Sequence, residues 1–278
     1  MNALPASPLV RQGLAVVAAR AEAGCTRLAD LRQDAPLRLL FPRVPAGEPL
    51  TACLTNTAGG LVGGDRLAVR ARAEEGAALL VMAQAAEKVY RSLGPDCRID
   101  VDLEAADGAW LEWLPQETIV FDRARLRRRT RVALVPGARL LAGEMLVFGR
   151  TAHGEVLREG LIRDAWEIRV EDRLAWADVL HLDGPLRAVL DHPATFDGAT
   201  ACATLVFHGP ALEETRDALR ELAAPAGVLR GCTIVGGLLV ARWLGKDALA
   251  LREDYARAWG LVRERNGYAA RLPRLWHV

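Results

Sequence analysis

The sequence predicts a mainly β protein whose few helices are gathered in the C-terminal third. Three observations carry this. Apolar and polar residues alternate through much of the segment from Leu50 to about Thr151, the period of a strand with one buried face. Similar glycine-led turns recur there as "GAAL" at Gly76, "GAWL" at Gly108 and "GARL" at Gly137. Helical periodicity with start and stop signals is confined to two segments beyond residue 209.

The strands come first. In "RLAVRARAE", Leu67, Val69, Ala71 and Ala73 alternate with Arg66, Arg70 and Arg72, with Ala68 blurring the polar face. In "IDVDLE", Ile99, Val101 and Leu103 alternate with Asp100, Asp102 and Glu104. Each glycine-led turn opens an apolar run, so the recurrence fits stacked strand-turn-strand units. Of the helices, "PALEETRDALRELAAPAG" has Pro210 near its start, Glu213 and Glu214 in its first turn and Pro225 as a stop, with Leu212, Ala218, Leu219 and Leu222 on one face. "DALALREDYARAWGLVRERNG" places Leu251, Tyr255, Ala258, Trp259 and Val262 on one stripe and ends at Asn266-Gly267, a left-handed cap. Between them "TIVGGLLVARWL" reads as one or two short strands.

The chain has 278 residues, of which 51% are hydrophobic. That is enough for a sizeable core, and with no linker-like stretch, 1–278 reads as one domain. Lys and Arg number 36 against 35 Asp and Glu, so bulk charge offers no reason to bind nucleic acid or an anionic membrane. Five widely spaced cysteines without a C-x-x-C pattern fit free thiols in a reducing compartment. The first twenty residues lack the layout of a signal peptide, and the apolar runs are too short to span a bilayer. A cytoplasmic protein is expected.

The glycine stretch "TNTAGGLVGGDRL" is not a phosphate cradle. Gly59 and Gly64 have P-loop separation, but Asp65 and Arg66 stand where Lys and Ser/Thr are needed. The following segment alternates as a strand, so no helix N-terminus faces a ligand. A tight turn is expected, with Asp65 either capping it or facing a metal or partner. In "FDRARLRRRTRV" the odd-numbered arginines from Arg123 to Arg131, Arg127 and Arg129 among them, share one strand face. Without interleaved aromatics this reads as a solvated or protein-docking face rather than a nucleic-acid surface. The five histidines show no metal-binding spacing, and no nucleophile motif stands out. Gln84, Gln116 and Glu144 follow the three glycine turns by eight, eight and seven residues. They are either a polar row inside the strands or wet strand ends.

"TNTAGGLVGGDRL" at 55–67, "QAAEKVYRS" at 84–92, "LEWLPQETIVFDRARL" at 111–126, "FGRTAHGE" at 148–155 and the ending "LPRLWHV" together resemble the UreD-type (UreH) urease accessory proteins. The resemblance spans nearly the whole chain. It implies a two-layered β-helicoid of stacked strands with a few helices. It also implies a non-enzymatic chaperone that helps insert nickel into apo-urease, together with a UreF-type accessory protein and a UreG-type GTPase. Nickel would be in transit through an internal channel, with no permanently bound cofactor. On the matching motifs Asp65, Glu87, Glu144 and Glu155 are the acids expected along a transient nickel path, with Glu117 and Asp122 also available. Arg127 and Arg129 are expected to meet a partner. A hydrolase on a β-rich scaffold is the alternative. It would need a deep pocket with a nucleophile–base pair.

Overall fold

The computed structural model describes residues 10–277. Residues 1–9, the first part of the twenty-residue segment weighed above as a possible leader, lie outside the described residues, as does Val278.

The chain opens with β1 (Gln12–Glu22), β2 (Cys25–Asp34), β3 (Leu37–Leu40) and β4 (Leu50–Asn56). It continues through β5 (Arg66–Ala73), β6 (Ala78–Ala83), the short β7 (Glu87–Val89), β8 (Cys97–Ala105), β9 (Trp110–Leu114), the short β10 (Thr118–Val120), β11 (Arg125–Leu134) and β12 (Arg139–Phe148). Then come β13 (Glu159–Val170), β14 (Arg173–Pro185), the one-turn helix α1 (Arg187–Asp191), β15 (Ala201–His208), α2 (Leu212–Glu221), β16 (Val228–Val235), β17 (Leu238–Gly245) and α3 (Ala248–Arg265).

Two sheets result. The outer sheet has the order β14-β13-β11-β8-β5-β1-β2, and the inner sheet runs β16-β17-β15-β12-β9-β6-β4-β3, with β10 pairing β12 and β7. From β4 to β13 each coil gives one long strand to each sheet, and like strands of successive coils pair in parallel. This is the stacked, two-layered β-helicoid that the resemblance implied. The glycine turns sit where the chain crosses from the outer to the inner sheet. Gly76, Gly108 and Gly137 all have positive φ, and the Gly76 N–H donates to the Asp107 carbonyl of the next turn at 3.0 Å. The repeat is therefore structural: Leu79, Leu111 and Leu140 stand in register on neighbouring strands.

Period-two alternation builds the core. Val69, Leu103 and Val132 of the outer sheet pack against Leu79, Leu111 and Leu140 of the inner one. The other face of the inner sheet is covered by helices, so its strands are apolar on both faces: Leu80, Met82, Leu141 and Trp243 meet Leu219 of α2 and Tyr255 and Trp259 of α3. Both expected helices form, α2 stopping four residues before Pro225. The Asp247 carboxylate caps α3 by accepting from the Leu249 and Ala250 N–H groups, and Gly267 follows it with φ +85°. Glu112, fully buried under α3, accepts from the indoles of Trp110 (2.7 Å) and Trp259 (2.9 Å) and pairs with Arg263. A strand ribbon, β1–β2, and the strands β13–β15 were not anticipated. The outward positions of β1, Leu14, Val16 and Ala18, are apolar, while β2 is exposed along most of both faces, so neither shows clean alternation.

Candidate functional site

Between the sheets lies a cavity of about 170 Å³. The glycine turn after β4 and the segment leading into β7 form its outer end, where Lys88 is exposed. Gly60 lets these two loops meet: a Cβ there would stand 2.5 Å from Tyr90 Cε2 and 2.6 Å from the Lys88 carbonyl, at φ +137°. The Tyr90 hydroxyl donates to the Gly59 carbonyl at 3.0 Å. Glu87, the first residue of β7, is half-buried and lines the cavity. The Asn56 amide donates to both of its oxygens at 3.1 Å. Burial pushes the Glu87 carboxyl up to about 7, against the pull of the Asn56 bond, and the nearby charge of Asp65 adds to the rise.

The deep end is a buried charge cluster that bridges the sheets. Alternation in β11 turns Leu126, Thr130 and Val132 inward, and the same phase carries Arg128 into the interior. Its Nε and Nη2 donate to Asp164 of β13 at 2.9 and 2.7 Å, and its Nη1 donates to Thr118 at 3.0 Å. From the inner sheet, Glu144 of β12 brings Oε2 to 2.6 Å from Nη1. That oxygen makes an ion pair but has no hydrogen bond of proper geometry among the described residues, while Oε1 accepts from the Trp113 indole at 2.9 Å. One guanidinium thus faces two carboxylates. Burial works against its charge, but Asp164 and then Glu144 hold Arg128 firmly protonated. Asp164 takes the two-pronged contact and Glu144 is the surplus acid. Its carboxyl is pushed up to about 7 by burial, with Arg128 opposing and Asp164 reinforcing.

Of the four acids expected along a nickel path, the structure brings Glu87 and Glu144 to this one cavity. Asp65 and Glu155 lie off it. Asp65 is buried and closes the glycine turn, accepting from the N–H groups of Val62 (3.0 Å) and Arg11 (3.1 Å). Glu155 accepts from the backbone N–H and Nε of Arg150 at 3.1 and 3.2 Å, beside a surface hollow formed with Tyr90, Phe121 and Arg123. Gln84, Gln116 and Glu144 do not form one polar row. Strands β6 and β9 end at Ala83 and Leu114, so neither glutamine is held in register with β12. Gln84 is exposed and off the cavity, whereas Gln116 lines the same cavity as Glu144, its amide bonded to the Trp276 carbonyl and Arg252. Arg128 and Asp164 were missed, although both were visible as charges in the apolar phase of their strands.

Among the described residues no three His, Cys, Asp or Glu side chains converge to hold a metal. The cavity offers instead single carboxylates at its two ends, each with a proton to exchange. Its side-chain hydroxyls are Thr55 and Thr118. Thr55 donates to Gln84, and Thr118 accepts from Arg128. Among the described residues neither hydroxyl is hydrogen-bonded to a histidine or a carboxylate, and the hydrolase alternative finds no support. No helix among the described residues is long and apolar enough to cross a membrane.

The arginine face forms on β11 from Arg125 to Arg131, but Arg123 does not share it: it precedes the strand in a turn with φ +64° and pairs with Glu159. Arg125 and Arg127 pair with Asp96, Arg129 with Asp100 and Arg131 with Asp102 of the neighbouring β8, each arginine keeping a third or more of its side chain exposed.

A family model described as "UreD urease accessory protein" matches residues 11–277. The chain is similar to the urease accessory protein UreD of Magnetococcus marinus strain MC-1, 49% identical over 92% of this chain and 90% of that protein. It is 46% identical to UreD of Methylobacterium sp. strain 4-46, with the same coverage, and 42% identical to UreD of Rhodopseudomonas palustris strain BisB5 over 95% of this chain and 91% of that protein. The chain belongs to the UreD urease accessory protein family.

Proposed function

We propose that this chain is a non-catalytic maturation factor that helps pass nickel into apo-urease in the cytoplasm, working with a UreF-type accessory protein and a UreG-type GTPase. Family membership across residues 11–277 is the observation that carries the urease role. The cavity with Glu87 at its outer end and Glu144 at its floor supports a transit role within it. Nickel held for good would be expected on clustered imidazole or thiolate ligands. Lone carboxylates suit a cargo that must leave again. Asp65 acts here through its charge on Glu87, and Arg127 and Arg129 present a face for a partner.

The test is co-expression with apo-urease and the other accessory proteins. The chain should co-purify with apo-urease, and urease should gain nickel-dependent activity only when the chain is present. Equal activation without the chain would overturn the proposal.

A further inference from the structure

On the outer sheet's exposed face, residues at the same level of neighbouring strands stand side by side. At one level Arg70, Asp102, Arg131 and Glu167 are paired across β5, β8, β11 and β13. Acid and base alternate there, and Arg131 lies 2.5 Å from Asp102. Four residues nearer the strand starts the pattern breaks. Arg66, Arg98, Arg127 and Arg163 are paired across the same four strands, with His181 of β14 next in line. Arg127 shares Asp96 with Arg125. Among the described residues Arg66, Arg98 and Arg163 have no carboxylate within ion-pair distance. Like charges directly opposite one another on a sheet destabilise it, and β8, acidic at its next three outward positions, carries Arg98 here.

We infer that Arg66, Arg98, Arg127 and Arg163 form a docking row for an acidic helix of a protein partner. The spacing selects the helix. Neighbouring strands are about 4.8 Å apart, so four arginines span about 14 Å. Carboxylates at positions i, i+3, i+7 and i+10 of a helix span about 15 Å. Same-face side chains of an extended segment, about 6.7 Å apart, would fit only three contacts in that length, out of step with the strand spacing of about 4.8 Å. Each guanidinium offers a planar fork for a carboxylate. A nucleic acid fits less well. The row and the next two levels toward the strand ends carry no Phe, Trp or Tyr on which bases could stack, and those two levels carry Asp100, Asp102 and Glu167.

The inference shares Arg127 with the docking face above but does not depend on urease, and its test contains none. A labelled helical peptide with Glu at i, i+3, i+7 and i+10 is titrated with the full chain by fluorescence anisotropy. A permuted peptide of identical composition and a single-stranded RNA are the comparisons. The striped peptide should bind about tenfold tighter than the permuted one, with affinity falling as salt rises. Arg98→Gln and Arg163→Gln should each weaken it about three- to fivefold, the size of an exposed charged contact. Arg70→Gln, at the alternating level, should leave it unchanged. Equal binding of both peptides, no binding of either, or no response to Arg98→Gln and Arg163→Gln would overturn the row, as would tighter binding of the RNA.

Discussion

Replacing Glu144 by Gln should flatten the pH dependence of the protein's stability. Folding raises this carboxyl from 4.5 to about 7. Between those values the folded state binds a proton that the unfolded state has already released, so stability falls as pH rises through the window and levels off above it. A shift of that size corresponds to about 3 kcal/mol in full, of which about 2 kcal/mol is lost between pH 5.5 and 8.5. For a chain of this length about 2 °C of Tm accompanies each kcal/mol, so the wild type should lose about 4 °C over that interval through Glu144 alone. Glu87 acts with the same sign, because its carboxyl is also raised to about 7. His208, lowered by burial, acts with the opposite sign, destabilising the fold as pH falls below its unfolded value. Both are common to wild type and variant and cancel in the comparison. Thermal unfolding followed by circular dichroism at pH 5.5 and 8.5 is the assay. Glu144→Gln should reduce the fall in Tm by about 4 °C relative to wild type. Identical pH dependence in the two proteins, or a wild type that gains stability at pH 8.5 relative to the variant, would refute the surplus-acid account of the cluster.

Glu112→Ala removes the buried partner of Arg263 and the acceptor of two indoles, and should cost about 3–5 kcal/mol, seen as a fall in Tm of about 6–10 °C. Adding Arg263→Met should recover part of that loss. Gly60→Ala forces a Cβ onto Tyr90 and the Lys88 carbonyl at a φ that side chains rarely adopt. It should cost about 1–3 kcal/mol and lower urease activation by disturbing the outer end of the cavity, both read in one thermal melt and one activity assay. The pair Arg127→Glu and Arg129→Glu should shift Tm by no more than about 4 °C, because exposed ion pairs contribute at most about 1 kcal/mol each. It should still weaken capture by the accessory partners in a pull-down.

The coil architecture was legible because each outer-sheet strand has one wet face: "RLAVRARAE" and "IDVDLE" declare their phase. The glycine turns were legible because stacked crossings with positive φ favour the same residue in each coil. The inner sheet was not. Both of its faces are covered, one by the outer sheet and one by α2 and α3, so "LEWL" reads as a featureless apolar run that hides the buried Glu112. The site was half legible. Glu87 and Glu144 lie in motifs that carry the family resemblance, but the partners that set their chemistry come from strands far apart in sequence. Arg128 sits in the most conspicuous arginine run of the chain, and strand phase alone separates it from its solvated neighbours. Asp164 carries the same signal in "LIRDAWEI", where Ile162, Trp166 and Ile168 mark the inward phase. What alternation could not supply is that Arg128, Asp164 and Glu144 meet, because neither the β11–β13 pairing that sets Arg128 beside Asp164 nor the sheet-to-sheet stacking that brings Glu144 to them has a local signature.

The most direct test of the nickel-transit account is urease activity after co-expression with Glu144→Ala, normalised to the amount of the chain that co-purifies with apo-urease. Glu144 is buried between the sheets and presents almost no surface to a partner, so the account predicts capture equal to wild type and activation reduced several-fold. Full activation at equal capture would contradict a role for the cavity in nickel delivery, and loss of capture itself would show that Glu144 serves the assembly rather than the metal.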